Sequence, residues 1–294
     1  MKLKFVLICL TAILIACNSG NNHSDAYGNF EAVEIQVSSE VQGKITNMNL
    51  EEGQQLQKGQ IVMTIDTVQL FLKKMQLNAQ MNASSSRLTQ IQSQISVQEE
   101  QKKTLVREQK RLENLVAGNA APSKQLDDIN GQLDVLNSQI AATRIQNQSI
   151  SFDVKAMLFQ IEQTQDQITK SVVKNPVNGT VLEKYVEAGE VVTPGKVLYK
   201  IADLSVLRLR AYISGDQLSS AKIGQKVSVF IDKDKNHNQK FDGIISWISS
   251  QAEFTPKIIQ TKDERVNLVY AIKVDVVNDG SLKIGMPGEV NFLE

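Results

Sequence analysis

The longest regular pattern in the chain is a narrow apolar stripe that runs through residues 68–171 in two parts. In the second part, fourteen positions from Leu126 to Ser171 alternate at spacings of three and four residues, and ten of them are apolar. In the first part, twelve positions from Leu77 to Val116 follow the same spacing, and eight are apolar. A stripe with a mean period of 3.5 residues is typical of a coiled-coil seam. The sequence therefore predicts two long helices that pack along one narrow face.

A short run of turn-forming residues separates the two parts of the stripe. Gly118 is expected to take the left-handed conformation that ends the first helix, Pro122 cannot continue a helix, and Ser123 is expected to cap the second. Two helices of about 50 residues would then fold back antiparallel into a rod about 75 Å long, at about 1.5 Å per residue. Residues whose numbers sum to about 239 would face each other.

Polar residues interrupt the stripe near the middle of both helices. Such residues cost stability but favour one alignment of the helices, so register control is the preferred interpretation. Lateral contact with neighbouring hairpins is the alternative. The interrupting residues are Gln98, Lys102, Gln109, Thr143 and Asn147.

An internal repeat flanks the two predicted helices. Residues 41–66 align with residues 177–202 at a constant offset of 136 and without gaps. Alternating apolar residues broken by glycine predict short strands with tight turns in both halves, so the halves are expected to pair into one small sandwich. The matched turn glycines are Gly43 with Gly179, Gly53 with Gly189, and Gly59 with Gly195.

Short strand patterns fill the remainder of the chain after residue 203. Five are predicted, with a short helical turn at Asp216-Gln217-Leu218, and together they indicate a compact β-barrel. A further strand is expected before the first repeat half, at Phe30–Gln36. The five strands are Val206–Ser214, Gln225–Ile231, Phe241–Ser249, Asn267–Val276 and Glu289–Leu293.

The chain resembles a known family on four features together: the split repeat, the long hairpin between its halves, the barrel that follows, and the lipoprotein-like start. The halves look like those of a biotinyl/lipoyl carrier domain, and their separation by a coiled-coil hairpin is similar to the periplasmic adaptors of the haemolysin D-type membrane fusion family. The resemblance covers residues 31–294. It implies an α+β fold in which an antiparallel coiled-coil hairpin is inserted in a split lipoyl-like β-sandwich, followed by a small β-barrel. The joint that holds the modified lysine in carriers is replaced by the hairpin, so no cofactor and no enzymatic activity are expected.

The resemblance implies a function as the adaptor of a tripartite efflux or secretion system. The adaptor would link an inner-membrane ABC transporter, its permease and ATPase, to a TolC-like outer-membrane channel, and would work as a homo-oligomer, commonly a hexamer. The stretch 254–265 looks like that of members serving ABC-type exporters, and no residues remain for the membrane-proximal domain usual in adaptors of RND pumps. An adaptor of an RND-type pump, a structural coiled-coil envelope lipoprotein and a carrier protein are the alternatives.

The first seventeen residues predict export and lipidation. Lys2 and Lys4 precede an apolar run, and Leu14-Ile15-Ala16-Cys17 matches the bacterial lipobox, in which the cysteine is acylated. We therefore expect a periplasmic protein anchored by Cys17 to an envelope membrane, the inner one being preferred. The expected segments are a signal peptide (1–16), a lipidated tether (17–29), a strand with the first lipoyl half (30–66), the hairpin (67–172), the second half (173–202) and the barrel (203–294).

The predicted hairpin tip carries most of a family motif. Members that meet a TolC-type channel have Arg-x-x-x-Leu-x-x-x-x-x-x-Ser around the turn. Arg111 and Leu115 have this spacing, whereas the serine falls at Ser123, one residue late. The resemblance implies a docking role for these three residues. The alternative is that Arg111 and Leu115 belong to the helix surface and that Ser123 is an N-cap.

Composition and charge argue against several other functions. The chain has 32 basic and 32 acidic side chains, so removing Lys2 and Lys4 leaves 30 against 32, with no basic stripe for nucleic acid. Residues 232–238 place oxygens at alternate positions of a calcium loop, but they lack the glycine and the glutamate of an EF-hand, so no metal site is expected. With His23 and His237 as the two histidines, no catalytic triad is expected.

Overall fold

Two long α-helices form the middle of the chain. The computed structural model of the protein describes residues 24–234, 237–254 and 268–292. Helix α1 spans Val68–Ala117 and helix α2 spans Ser123–Lys170. We refer to α1, α2 and the turn between them as the helical pair.

Three contacts define how the two helices are aligned. The Lys74 Nζ donates to Gln165 Oε1 at 2.7 Å, and the Gln109 Nε2 donates to Asn130 Oδ1 at 2.7 Å. In both contacts the residue numbers sum to the predicted 239. An ion pair between Arg144 and Glu99, at 2.6 Å, lies between them along the rod. The helices are therefore antiparallel in the predicted register.

The buried residues of the helical pair all lie at positions of the predicted stripe. Eight residues of the two helices are buried, two in α1 and six in α2. Because each helix contacts one partner, one stripe is covered and the remaining faces meet water. The buried residues are Ile91, Leu112, Leu133, Leu136, Ile140, Thr143, Ile161 and Thr164.

The part of the chain that the structure describes contains fifteen strands, five before the helical pair in sequence and ten after it. They are β1 (Ala26–Glu31), β2 (Glu34–Ser38), β3 (Gly43–Met48), β4 (Gln55–Leu56), β5 (Ile61–Ile65), β6 (Val172–Lys174), β7 (Gly179–Lys184), β8 (Val191–Val192), β9 (Val197–Ala202), β10 (Val206–Ser214), β11 (Lys226–Asp234), β12 (His237–Ile248), β13 (Glu253–Phe254), β14 (Leu268–Val277) and β15 (Pro287–Phe292).

Two four-stranded sheets form a β-sandwich from both sides of the helical pair. One sheet has the order β2-β9-β7-β4 and the other the order β6-β5-β3-β8, so each contains strands from before and after the helices. Their apolar faces share one core, whose members include Ile45, Ile65, Val181 and Ile201. The sandwich closes only when both halves of the repeat are present.

The hydrogen bonds across the sandwich follow the 136-residue offset. The Gly53 N–H donates to the Val181 carbonyl, and the Gly189 N–H donates to the Ile45 carbonyl, both at 2.9 Å. The offset relates the two bonds: Gly189 is 136 residues after Gly53, and Val181 is 136 residues after Ile45. Each half therefore supplies to the other the same bond that it receives, as expected for a pseudo-twofold arrangement.

Six strands close into a β-barrel. Around the barrel the order is β10-β1-β15-β11-β12-β14, and β14 pairs again with β10 to complete the circle. The short β13 pairs with Leu268 and Val269 at the start of β14. Large side chains fill the interior, among them Phe30, Leu209 and Ile245, all without solvent exposure. A 3₁₀ turn at Gln217–Ser219 stands where the short helical turn was predicted.

The N-terminal strand differs from the sequence prediction. The single strand expected at Phe30–Gln36 is two strands, β1 and β2, which belong to different sheets. Strand β1 begins at Ala26, inside the range expected as tether, and pairs with β10 and β15 of the barrel. Ala26 and Phe30 are fully buried in the barrel core, and this burial accounts for the strand in a segment whose polar residues suggested a tether.

Strands β11 and β12 extend beyond their predicted bounds toward the hairpin that joins them. The apolar alternation ends at Ile231, yet β11 and β12 continue pairing as far as Asp234 opposite His237. These outer positions are exposed, so pairing there depends on backbone hydrogen bonds rather than on burial. Strand β10 has the predicted bounds, because its alternation between exposed and buried positions runs over its whole length.

Candidate functional site

The turn at the end of the helical pair is closed by a Schellman motif. The Ala120 N–H donates to the Leu115 carbonyl at 2.7 Å, and the Asn119 N–H donates to the Val116 carbonyl at 3.0 Å. Asn119 takes the left-handed conformation, with φ of +54°, whereas Gly118 has φ of −86°. The prediction that Gly118 takes this position was therefore wrong by one residue. Asparagine tolerates the left-handed region better than other non-glycine residues.

Arg111 lies on an open surface of α1 near the turn. Its guanidinium contacts Glu108 Oε1 at 2.5 Å, one turn earlier on the same helix, and its side chain is 68 % exposed. The hydrogen bond to Glu108 and the charge of that carboxylate raise the pKa of Arg111 further above its usual value. The side chain stays charged, and its exposure leaves donors free to meet an acidic partner.

Leu115 and Ser123 lie on opposite sides of the turn. The Leu115 side chain is 38 % exposed, while its backbone carbonyl is used by the Schellman motif. Ser123 is the first residue of α2 and is exposed; the N-cap position is Pro122, with no side-chain capping hydrogen bond. The expected cap by Ser123 is therefore not formed. Arg111, Leu115 and Ser123 thus stand within a few turns of the same end and expose one charged, one apolar and one hydroxyl group.

An open groove lies on one face of the helical pair below this end. Its volume is about 840 Å³, and Leu105, Val135 and Leu136 form its apolar part. Gly131 leaves the space open, since a Cβ added there would meet nothing within 4 Å. This groove was not predicted from the sequence. A glycine inside a helix, which costs about 0.5–1 kcal/mol relative to alanine, was the signal that could have found it.

The polar interruptions of the stripe behave differently from one another. Lys102 is exposed, although its position falls in the stripe. Among the described residues, the buried oxygens Gln98 Oε1 and Asn147 Oδ1 have no hydrogen-bond partner. Thr143 bonds the Gln139 carbonyl of its own helix. Both unpaired oxygens lie near the middle of the rod, in the same part as the buried Ile91, Ile140 and Thr143.

The six repeat glycines fall into two structural groups. Gly53, Gly59, Gly189 and Gly195 have positive φ, between +81° and +96°, and each lies in a tight turn before a strand. Gly43 and Gly179 begin strands β3 and β7, where a Cβ would come within 2.6 Å of the Ile65 side chain and 2.5 Å of the Ala202 carbonyl oxygen. The first group serves turn conformation and the second serves close packing.

Several predicted features lie outside the described residues. They are the signal peptide, Cys17, most of the tether, and residues 255–265 of the stretch that resembles members serving ABC exporters. Lys235 and Asn236 of the discounted calcium loop also lie outside. Of that loop, Asp232 and Asp234 are exposed, and the His237 Nδ1 lies 2.9 Å from Asp234 Oδ1. Within the ranges 24–234, 237–254 and 268–292, no cluster of three metal-ligating side chains is found.

Among the described residues, neither long helix contains a stretch apolar enough for the hydrocarbon core of a bilayer.

Comparison with known proteins gives one family match and several similar chains. A sequence model of the family described as "RND MFP, barrel-sandwich hybrid domain" matches residues 33–204. A "UPF0194 membrane protein" of Yersinia enterocolitica is 26 % identical over 326 residues, covering 100 % of this chain and 99 % of the relative.

Two solved structures resemble the fold. MacA from Actinobacillus actinomycetemcomitans has a TM-score of 0.58 at 20 % identity, over 92 % of this chain and 78 % of that one. The membrane fusion protein Spr0693 from Streptococcus pneumoniae R6 has a TM-score of 0.52 at 17 % identity, over 91 % and 97 %.

Proposed function

Because this chain belongs to the membrane fusion protein family defined by the barrel-sandwich hybrid domain, we propose that it is the periplasmic adaptor of a tripartite efflux or secretion system, linking an inner-membrane transporter to a TolC-like outer-membrane channel. Membrane fusion proteins are adaptors of efflux systems. The observation that carries the proposal is the helical pair, which places an exposed Arg111 and Leu115 at the end of two helices of 50 and 48 residues.

We propose that the helical pair is a coiled-coil hairpin inserted in a split lipoyl-like domain and followed by a small β-barrel domain. All eight buried residues of the helices fall on one stripe with a period of 3.5 residues. The Ile65 N–H donates to the Ser171 carbonyl at 2.8 Å, so the two ends of the helical pair meet at the sandwich. We place the domain boundaries at 30–66, 67–172, 173–202 and 203–294, with β1 contributed to the barrel.

The proposed role is mechanical and non-catalytic. The sandwich and barrel would assemble with further copies into a ring on the transporter, with a hexamer as the expected number, and the hairpins would line a conduit. A rod of about 75 Å, at about 1.5 Å per residue, reaches far from its base. Its tip is therefore the part available to an outer-membrane partner.

The tip is tested with substitutions that leave the rod intact. Leu115→Ser and Arg111→Asp change exposed side chains, so acylation, secretion and helical content should stay at the wild-type level. Export should be lost, because an interface loses most of its affinity when a central apolar or arginine contact is removed. Val106→Ser and Arg107→Asp are the matched controls, since both residues are exposed on the same helix farther from the turn.

The two sets of variants separate docking from a structural role. Export that continues at the wild-type rate in the folded double mutant at the tip would contradict docking. Equal loss in the control variants would show that charge or solubility of the whole rod matters instead. Ser123→Ala makes the finer comparison: because no capping bond is present, its melting temperature should not change, and a fall in export would assign it a contact with the channel.

The transporter class is a separate proposal. We propose an ABC transporter, because residues 254–265 are similar to the stretch found in members serving ABC exporters. The description of the matching family names RND instead, so an adaptor of an RND pump is the second candidate. Purified transporter partners distinguish them: stimulation of ATP hydrolysis by the wild-type chain supports the ABC class, and stimulation of proton-driven transport without ATP supports the RND class.

The attachment to the envelope is proposed to be a lipid on Cys17. Changing Cys17 to serine should abolish acylation and release protein from membranes. Stable anchoring needs more than one acyl chain, and all of the proposed chains are on this residue. Mass spectrometry of the wild-type N-terminal peptide checks this directly, and an unmodified Cys17 would end the lipoprotein proposal. A structural envelope lipoprotein without export function remains the alternative if acylation is found and no transporter is captured.

A further inference from the structure

A row of aromatic side chains crosses the outer surface of the barrel. Tyr27 of β1 faces Tyr212 of β10 on one side and Glu289 of β15 on the other, and Glu289 faces Phe230 of β11. Neighbouring strands are about 4.8 Å apart, so these four residues form a row of about 15 Å. We call Tyr27, Tyr212 and Phe230 the aromatic row.

The aromatic row points away from the barrel core. Residues adjacent to it in sequence are buried: Ala26 lies before Tyr27, Ala211 before Tyr212 and Val229 before Phe230. Because side chains alternate between the two faces of a strand, the aromatic rings face outward. Tyr27 is 48 % exposed, so the rings are not fully covered by the described chain.

The surface at the aromatic row is concave. It encloses about 630 Å³, with Pro287 and Val269 beside the rings. Its charged groups are the acidic Glu289 and Asp232. Two basic side chains border it: the Arg210 guanidinium, which pairs with Glu253, lies 5.9 Å from the centre of the Tyr212 ring, and Lys240 of β12 is opposite Phe230. The described part of this surface therefore offers apolar contact area and tyrosine hydroxyls without an excess of basic groups.

The first described residues of the chain are fastened to this surface. The Ser24 N–H donates to the Tyr27 hydroxyl oxygen at 3.0 Å, and the Ser24 Oγ donates to Glu289 Oε2 at 2.6 Å. The Asp25 carboxylate accepts from the Phe292 N–H at 2.8 Å. The chain therefore enters the barrel at Ser24, on the same side as the aromatic row.

The two tyrosines of the row lie toward the end of the barrel that is remote from the sandwich. Strand β1 leads through Glu31 into β2 of the sandwich, which begins at Glu34. Tyr27 is four residues farther from this junction than Glu31, or about 13 Å along an extended strand. The helical pair arises from the sandwich, so the aromatic row and the tip of the rod are separated by the sandwich and the rod.

We propose that the aromatic row is a membrane-contact face that rests in the interfacial region of a zwitterionic bilayer. The inference depends on the proposed acylation of Cys17, because the seven residue steps from Cys17 to Ser24 span at most about 25 Å when fully extended. Ser24, which is bonded to Tyr27 and Glu289 of the row, is thus held within this distance of the lipid.

The chemistry of the row suits that interface. Tyrosine rings place apolar area among lipid headgroups and keep their hydroxyls hydrated. The acidic Glu289 and Asp232 offset the basic Lys240, and Arg210 is already paired with Glu253. No net positive charge attracts anionic headgroups, so the contact is with phosphatidylcholine or phosphatidylethanolamine. The barrel would then lie on its N-terminal side against the membrane and direct the rod away from it.

Fluorescence quenching by brominated lipids tests the contact. Trp247 is the only tryptophan of the chain, and it lies on β12, opposite β1 in the six-stranded barrel. Two full-length acylated proteins are compared in phosphatidylcholine vesicles: the wild type, which reports on Trp247, and W247F/Y212W, which reports on the aromatic row. Bromines are placed near the headgroup in one set of vesicles and near the chain ends in another.

The proposal predicts a difference between the two tryptophans. The reporter at position 212 should lose about half of its intensity with shallow bromines and less with deep ones, as an interfacial aromatic does. Trp247, which is 40 % exposed, should show no quenching. The proposal would be overturned if the reporter at position 212 had the same intensity in brominated and plain vesicles. It would also be overturned if Trp247 alone were quenched. Circular dichroism of both proteins confirms that the barrel is folded.

Failure of the anchor is distinguished from failure of the contact face. Mass spectrometry of the same samples shows whether Cys17 is acylated. If it is not, coupling the Cys17 thiol to a maleimide-headgroup lipid recreates the same short tether, and the quenching comparison then decides the proposal. Quenching that appears only with anionic vesicles would contradict it, because the surface has no net positive charge to bind anionic headgroups.

Discussion

The sandwich and the helical pair bury their apolar residues to different degrees. Ile65, Leu198 and Ile201 of the sandwich have no solvent exposure, whereas the eight buried residues of the helices retain between 2 and 8 %. Two helices can cover only one stripe of each other, while two sheets cover whole faces. Each residue of the sandwich core therefore contributes more to stability than a buried residue of the rod, whereas the rod provides length and exposed surface.

The largest expected effect comes from opening the sandwich core. Ile201→Ala should lower the free energy of unfolding of the sandwich by about 3–4 kcal/mol, since the side chain is fully buried and a cavity would remain. Its repeat partner Ile65→Ala should cost a similar amount. Urea unfolding followed by hydrogen exchange of the sandwich strands measures both, and a loss below about 1 kcal/mol would contradict this view of the core.

Alkaline pH should weaken the same core through one buried hydroxyl. Tyr199 is fully buried and its hydroxyl donates to Asn175 Oδ1 at 3.0 Å. Burial raises the pKa of Tyr199 to about 12, from 10.0. The native protein keeps the proton while the unfolded chain loses it, so stability is full below pH 10 and falls by about 2–3 kcal/mol toward pH 12.

The control for this titration is Tyr199→Phe. The variant loses one hydrogen bond at neutral pH, but this part of the alkaline loss should disappear. Unfolding by urea at pH 8 and pH 11 measures the difference for both proteins. An identical pH dependence of the two proteins would show that another group causes the loss.

A smaller effect is expected from the seam of the helical pair. Ile140→Ala should cost about 2 kcal/mol, near the low end for such substitutions, because the thin rod can close partly around the gap. Ile145→Ala is the matched control on the same helix, with Ile145 68 % exposed. Hydrogen exchange should show faster opening of α1 and α2 in the first variant only, with the β-strands unchanged.

The smallest effects should have opposite signs at two glycines. Gly189→Ala should cost about 1–2 kcal/mol, since its φ of +96° is strained for alanine. Gly131→Ala should stabilise α2 by about 0.5–1 kcal/mol, because the glycine lies in a helix with open space around it. Thermal unfolding of the two variants checks the signs, and a loss in both would contradict the assignment of Gly131.

Much of the fold could be predicted because its patterns are periodic. The seam positions and the 136-residue repeat depend on spacing alone, and the eight buried helix residues and the paired hydrogen bonds follow them. The resemblance to the membrane fusion family used these two patterns together with the strands of the barrel and the lipoprotein-like start. Local propensity and period were consistent along these stretches.

The remaining features depend on contacts between distant residues. Strand β1 could not be recognised from Ala26–Glu31, because its burial comes from β10 and β15, more than 170 residues later. Asn119 replaced Gly118 at the left-handed position because either residue tolerates it. Of the candidate site, the placement of Arg111 and Leu115 near the turn followed from the helix pattern. The groove at Gly131 did not, since it requires both helices.

The exchange of hydrogen bonds between the repeat halves has a consequence for the order of folding. Gly53 and Val181, or Ile45 and Gly189, cannot meet until a chain segment of more than 100 residues has been closed into a loop. Closing a long flexible loop costs entropy that rises with its length, and such distant pairings form slowly. If α1 and α2 pair first through their local turn, the Ile65 and Ser171 ends arrive side by side. During biogenesis the rod would then bring the two repeat halves of the sandwich close together, so that they pair faster.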